Sequence, residues 1–262
     1  MRMVEANGVA LHVREDGDPN GAPVVFSNSL GTDLRLWDAI LPHLPAGLRM
    51  VRYDKRGHGL SDCPAGPYRL EDLVTDAEAL LDALAIRDCV FVGLSVGGLI
   101  AQSLAARRPD LIRAAVLSNT AATMGDAAMW EARMEAIRTG GLDAVAEAVM
   151  DRWFGKSFRH DPSVALWKNM MIRTPQEGYL GCCAAIAAAD LTESTAALAL
   201  PVLGIAGAED GACPAERTAA TVGSIKGGRM ETIPATGHLP CVEAPEAYAT
   251  LLTQFLKEIG HV

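Results

Sequence analysis

From residue 9 to 120, short β-type runs alternate with helical ones. Val9 to Arg14 alternates apolar and polar side chains, as a half-buried edge strand does. Pro23-Val24-Val25-Phe26 and Met50-Val51-Arg52-Tyr53 are short strands bounded by turn-forming residues. Leu73, Ala77, Leu80, Leu81 and Leu84 recur at helical spacing, which predicts a helix over Leu70 to Leu84. Val90 to Leu94 and Ala114 to Leu117 are almost continuously apolar, the mark of parallel strands covered on both faces. A helical pattern runs from Leu99 to Arg107 between them. Such alternation implies βαβ units with right-handed crossovers.

The rhythm then breaks. Between Ala121 and Leu198 no stretch reads as a strand, and helical segments are expected at Asp126–Thr139, Leu142–Phe154, Pro162–Arg173 and Pro175–Ala189. Strand character returns over Pro201 to Ala206 and near Arg229 to Ile233, followed by a final helix from Pro245 to about Glu258. The economical division is an α/β core formed by residues 1–120 and 199–262, interrupted by an all-helical insertion at 121–198. An insertion there would lie over the carboxyl ends of the strands, where open α/β sheets bind ligands. It is expected to act as a cap, or lid.

Half of the 262 residues are apolar and no segment is low-complexity, so the chain can bury a sizeable core. Lys and Arg total 23 against 32 Asp and Glu, a net charge of −9 without a basic stripe, which disfavours nucleic-acid binding. The same balance means that an anionic substrate would need a local cation. No apolar stretch approaches the length of a bilayer span, and Met1 to Glu5 lacks the pattern of a signal peptide. Six cysteines without metal-type spacing read as reduced thiols of a cytoplasmic protein, and neither a metal nor a cofactor is expected. Exposed faces of the cap leave homo-oligomerisation open.

Chemistry enters at Gly93-Leu94-Ser95-Val96-Gly97. A G-x-S-x-G pentapeptide alone could be an ordinary turn whose serine caps the next helix. Here it follows an apolar strand and precedes a helix, the context of a nucleophile elbow, in which a sharp turn holds the serine hydroxyl out into a cleft. A nucleophilic serine needs a base, and the base needs an acid. Of six histidines, His12, His43 and His58 precede the serine, against the Ser, Asp, His chain order of this arrangement. His160 lies in the insertion and His261 in the terminal tail, where solvated side chains are expected. His238 remains, in a loop just after the predicted strand at 229–233. For the acid, Asp210 closes the loop after the strand ending at Ala206, while Glu209 is expected to be solvated. The other usual acid position, after the strand ending near Leu117, carries Asn119, whose neutral amide could not stabilise an imidazolium. Backbone N–H groups of Leu30, in Phe26-Ser27-Asn28-Ser29-Leu30-Gly31, and of Val96 are the expected oxyanion donors.

These residues resemble the α/β-hydrolase superfamily over essentially the whole chain. More narrowly, the chain is similar to the 3-oxoadipate enol-lactonases of bacterial aromatic catabolism. The similarity is carried by Ser27-Asn28-Ser29-Leu30-Gly31, Arg52 to Gly59, the elbow, Ser118 to Ala121, Arg152-Trp153-Phe154 and Gly178 to Ile186. It implies an eight-stranded, mostly parallel sheet with a helical cap, and hydrolysis of an anionic lactone through an acyl-enzyme. The pocket should then contain a cation. Arg133 is the candidate, three residues after Trp130 on one helix face, with Trp153 a further candidate contact. The plainer alternative makes Arg133 a solvated helix residue and both tryptophans core. A carboxylesterase, a C–C hydrolase, a cofactor-free haloperoxidase or a non-catalytic ligand-binding protein would share most of these features, whereas a haloalkane dehalogenase would need aspartate at the elbow.

Overall fold

The apolar runs form the middle of one eight-stranded sheet with the spatial order β1-β2-β4-β3-β5-β6-β7-β8. A computed structural model describes residues 1–262. Its strands are β1 (Arg2–Ala6), β2 (Val9–Gly17), β3 (Ala22–Ser27), β4 (Leu48–Tyr53), β5 (Cys89–Leu94), β6 (Ile112–Ser118), β7 (Val202–Gly207) and β8 (Arg229–Ile233). The pairs β1–β2 and β2–β4 are antiparallel and the remainder parallel. Every residue of β5 and β7 is buried, as the continuous apolar pattern requires of central parallel strands.

The helices are α1 (Leu70–Ala83), α2 (Val96–Arg107), α3 (Ala127–Gly140), α4 (Asp143–Trp153), α5 (Val164–Ile172), α6 (Gln176–Ala187), α7 (Thr192–Ala196), α8 (Ala215–Gly223), α9 (Pro240–Glu243) and α10 (Pro245–Glu258). The helices α3 to α7 all fall between β6 and β7, with no strand among them. Register aligns Ser27 with Gly93, Leu94 with Ser118, and Ser118 with Ile205. The carboxyl ends of β3, β5, β6 and β7 therefore share one rim of the sheet.

Three features differ from the sequence-based expectations. The strand read over Val9 to Arg14 is not at the edge, because β1 pairs outside it through a hairpin. Its turn is Asn7-Gly8, with φ of 54° and 72°, the left-handed pair that a two-residue hairpin requires. The helix α8 has no counterpart among the expected elements; it buries Thr218 and Thr221 beside Val222. His261 is half-buried rather than solvated, and its Nε2 lies 3.0 Å from the Pro23 carbonyl oxygen.

One crossing ties the helical stretch to the segment after β4. Gly178 in α6 sits directly on Gly57, whose φ is 71°, and a Cβ at Gly178 would overlap the Gly57 carbonyl. Helix propensity alone would make Gly178→Ala stabilising by about 1 kcal/mol. Overpacking of two backbones in contact should outweigh this, so the variant is expected to lose roughly 1–3 kcal/mol of stability. Urea unfolding midpoints decide, and a midpoint at or above that of the parent would show that the crossing yields.

Candidate active site

Ser95 stands between β5 and α2 with φ 59° and ψ −117°, a conformation in which a residue with a Cβ is strained. Its surroundings hold it there. The Ser95 N–H donates to the Ser118 carbonyl (2.9 Å), and its own carbonyl accepts from Gly98 N–H (2.8 Å) and from the Thr120 hydroxyl (2.8 Å). Gly97 lets the first turn of α2 press against β3, where a side chain would overlap the Ser27 carbonyl. The adjacent N–H of Val96 opens α2, among the donors that a helix leaves without an intrahelical acceptor.

The histidine and carboxylate chosen from the sequence do meet. His238 Nδ1 lies 2.8 Å from Asp210 Oδ2, with both side chains almost completely buried. The other oxygen, Oδ1, accepts from the N–H groups of Ala212 (2.7 Å) and Cys213 (2.9 Å). Asn119 reaches the same carboxylate, its Nδ2 donating to Asp210 Oδ2 at 2.7 Å and to the Gly237 carbonyl at 3.3 Å. The amide at the alternative acid position thus engages the acid. Ser118 and Thr120, its two neighbours, are the residues that grip Ser95, which brings the serine and the His–Asp pair into one site.

No hydrogen bond joins Ser95 Oγ to His238 in this geometry. His238 Nε2 instead faces Ser29 Oγ at 3.4 Å. In unliganded hydrolytic sites the nucleophile–base contact is often open and tightens with substrate.

The loop at 28–34 is clamped from below by the segment after β4. Lys55, 2% exposed and without an ion-pair partner, donates to the Ser29 carbonyl at 2.6 Å. His58 Nε2 accepts from Gly31 N–H at 3.0 Å, so that nitrogen carries no proton. Burial, with the Lys55 charge second, holds His58 well below its usual range and keeps the ring neutral. Asp54 Oδ1 accepts from Leu34 N–H at 2.7 Å, and Asn28 is held between the Tyr53 carbonyl and the Trp37 indole N–H. Among these bonds the Leu30 N–H has no acceptor, and it remains free to serve a ligand.

The helical stretch roofs this loop. Tyr179, Met171 and Trp153 pack on Gly31. Trp130 is buried and its indole N–H donates to the Met124 carbonyl. Arg133 is half-buried, its guanidinium over the rings of Trp130 (5.3 Å) and Tyr179 (5.6 Å) and hydrogen-bonded to the Tyr179 hydroxyl. It has no carboxylate partner, and its Nε is buried without an acceptor. Burial first, and then the Arg133 charge, hold the guanidinium of Arg152 below its ordinary value.

Residues 152–156 are also stitched to the loops carrying the acid and the histidine. The Trp153 carbonyl accepts from His238 N–H (2.7 Å), and the Arg152 carbonyl from Gly211 N–H (3.1 Å). Glu209, expected to be solvated, is half-buried and accepts from Lys156 N–H at 2.6 Å. Glu243 accepts from Gly155 and Gly237 N–H, each at 2.8 Å, although burial pushes its carboxyl up to about 7. Neither role has a motif, because each partner is a backbone amide supplied by the fold.

Comparison with known proteins follows the same outline. Residues 22–245 match the family model for the alpha/beta hydrolase fold. The chain is 36% identical over 257 residues to 3-oxoadipate enol-lactonase 2 of Acinetobacter baylyi, covering 97% of this chain and 96% of that protein. The crystal structure of the enol-lactonase from Burkholderia xenovorans LB400 superposes with a TM-score of 0.94 at 37% identity, covering 97% of this chain and 99% of the other. A thermophilic esterase from Thermogutta terrifontis, solved with malate bound, gives 0.93 at 27% identity over the full length of both chains.

Lys55 supplies a pH test of the loop clamp. Burial pushes its ammonium down to about 8, against 10.5 for an ordinary lysine. Between those values the unfolded chain binds more protons than the folded one, so this group makes stability rise with pH. The stability of the native protein relative to Lys55→Met should therefore be lower at pH 7.5 than at pH 10, by urea midpoints. A difference that stays constant, or falls with pH, would mean that the ammonium is not desolvated.

Proposed function

The chain belongs to the α/β-hydrolase family, and we propose that it hydrolyses 3-oxoadipate enol-lactone to 3-oxoadipate. What supports the chemistry is the meeting of the strained Ser95 turn with the buried His238–Asp210 pair, joined through Ser118-Asn119-Thr120. Similarity to enol-lactonases that extends over the helical stretch as well as the sheet supports the substrate. We read α3 to α7 as a cap over the site.

In this mechanism His238 turns from Ser29 to Ser95 and takes the serine proton as Oγ attacks the lactone carbonyl. The N–H groups of Leu30 and Val96 receive the oxyanion, in a loop already fixed by Lys55 and His58. Asp210 stays ionised and stabilises the imidazolium. Collapse breaks the ring C–O bond and expels an enolate, a much better leaving group than an alkoxide. The imidazolium returns its proton to that enolate, and the enol tautomerises to the ketone. Water, deprotonated by His238, then attacks the acyl-enzyme, releases the second carboxylate and restores Ser95.

The substrate brings a carboxylate of its own. Arg133, desolvated between two aromatic rings with no acid beside it, is its proposed contact, with Trp130 and Trp153 as apolar walls. The proposed setting is the bacterial cytoplasm, in the breakdown of aromatic compounds, acting on a small anionic molecule with neither nucleic acid nor membrane as partner. A second reading, hydrolysis of simple carboxylic esters, is favoured by the likeness to the thermophilic esterase.

A steady-state assay on the enol-lactone beside neutral aryl esters tests the assignment. Ser95→Ala should lose about a thousandfold or more of kcat on both substrates. Full lactonase activity in that variant would remove the serine mechanism. Arg133→Leu should raise KM for the carboxylated lactone about tenfold or more, the worth of a charge-assisted hydrogen bond, while a neutral ester changes little. Equal losses on the two would assign Arg133 to packing.

A further inference from the structure

We propose that Asn119 is a positioning residue, tying the Asp210–His238 pair to the serine turn and sharing the carboxylate oxygen that orients His238. This rests on the assignment of Ser95, His238 and Asp210 made above. Asn119 is fully buried and lies in the left-handed region at φ 47°. Every polar atom of its side chain is engaged: Nδ2 with Asp210 Oδ2 and the Gly237 carbonyl, Oδ1 with the Ser118 hydroxyl at 3.2 Å. Its backbone N–H donates to the Ile205 carbonyl on β7, at 3.0 Å. One residue thus touches the strand leading to the acid, the acid itself and the residue before the histidine.

The carboxylate does not need Asn119 to stay in place, because Ala212 and Cys213 N–H hold Oδ1. What the amide changes is Oδ2. That oxygen also receives His238 Nδ1–H, and a second donor draws charge away from the atom on which the imidazolium would lean. An imidazolium at His238 therefore leans on a weaker acceptor than it would with the amide removed. Other ionisable groups lie around the pair on neighbouring elements: Glu209 and Cys213 beside Asp210, Glu243 on α9 against Gly237, Arg152 on α4 against Gly211, and Tyr248 near Ser118. All of them are retained in the variants below.

The backbone conformation selects the variants. Glycine and aspartate both tolerate a left-handed φ, so Asn119→Gly removes the amide without strain and Asn119→Asp keeps the volume while replacing a donor by a charge. An aryl fluorophosphonate first counts reactive Ser95 in each protein, and kcat/KM on p-nitrophenyl acetate is then followed against pH per labelled site. The ascending limb should move to higher pH by roughly half a unit in Asn119→Gly and by about one unit or more in Asn119→Asp, as an added charge opposite to the imidazolium requires. Loss of folded protein alone would lower the labelled fraction and leave the limb in place. Limbs that coincide with the parent's in labelled protein overturn the proposal. Absence of labelling at Ser95 in the parent overturns the triad instead. Should the glycine variant not fold, the limb of Asn119→Asp decides alone.

Discussion

The left-handed backbone at Ser95 is the constraint around which the rest is arranged. A residue with a side chain in that conformation costs on the order of 1–3 kcal/mol, and it persists only where its surroundings over-determine it. Here the surroundings are the ends of neighbouring strands. Ser118 on β6 holds the Ser95 N–H, Thr120 just beyond holds its carbonyl, and β3 leaves space only for glycine at position 97. These contacts exist because β3, β5 and β6 run parallel in a register that brings their carboxyl ends level. Topology, rather than any local preference of the pentapeptide, keeps the hydroxyl in the site.

A second set of buried polar groups serves the facing loop. A lysine removed from water is normally expensive, yet Lys55 gives its protons to backbone carbonyls and forms no ion pair, with Asp54 and Asp33 acting on it only from a distance. The neighbouring charge and burial leave His58 as a neutral acceptor for Gly31, and the loop chain is thereby turned so that the Leu30 N–H has no internal partner. Polar networks of this kind are costly when incomplete and rigid when complete. The motif Asp54-Lys55-Arg56-Gly57-His58 is therefore scaffolding for the loop at 28–34, to which the proposed function gives the oxyanion.

Legibility in the sequence followed the range of the interactions. Strands buried on both faces announce themselves by continuous apolar runs, and the order of Ser95, Asp210 and His238 could be read from loops after strands. The hairpin at Asn7-Gly8 carried a usable signal in its dipeptide. The helix α8, absent from the expected elements, buries threonines beside Val222. Asn119 looked like a vacancy at an acid position, and its bond to Asp210 joins residues separated by 91 positions. Glu209 was expected to be solvated and Glu243 carried no expectation, but backbone amides of residues 155, 156 and 237 give them partners that no side-chain pattern encodes. Sequence patterns record which faces are apolar. They do not record where a loop's N–H groups come to rest.

Under the proposed function, the helical stretch α3 to α7 connects these parts to a choice of substrate. Most arginines of the core surface have acidic partners, as Arg107 and Arg108 do with Glu78. Arg133 and Arg152 have only aromatic faces, a hydroxyl and a carbonyl. In a chain of net charge −9 the long-range field works against an anion, so discrimination must be made at contact distance, inside a desolvated pocket. Placing the unpaired cations on α3 and α4 achieves that without disturbing the sheet. The same α4 ends in the strap whose carbonyls hold Gly211 and His238. In the proposed function, the helix that carries Arg152 is thus also the one whose end holds the loops of Asp210 and His238.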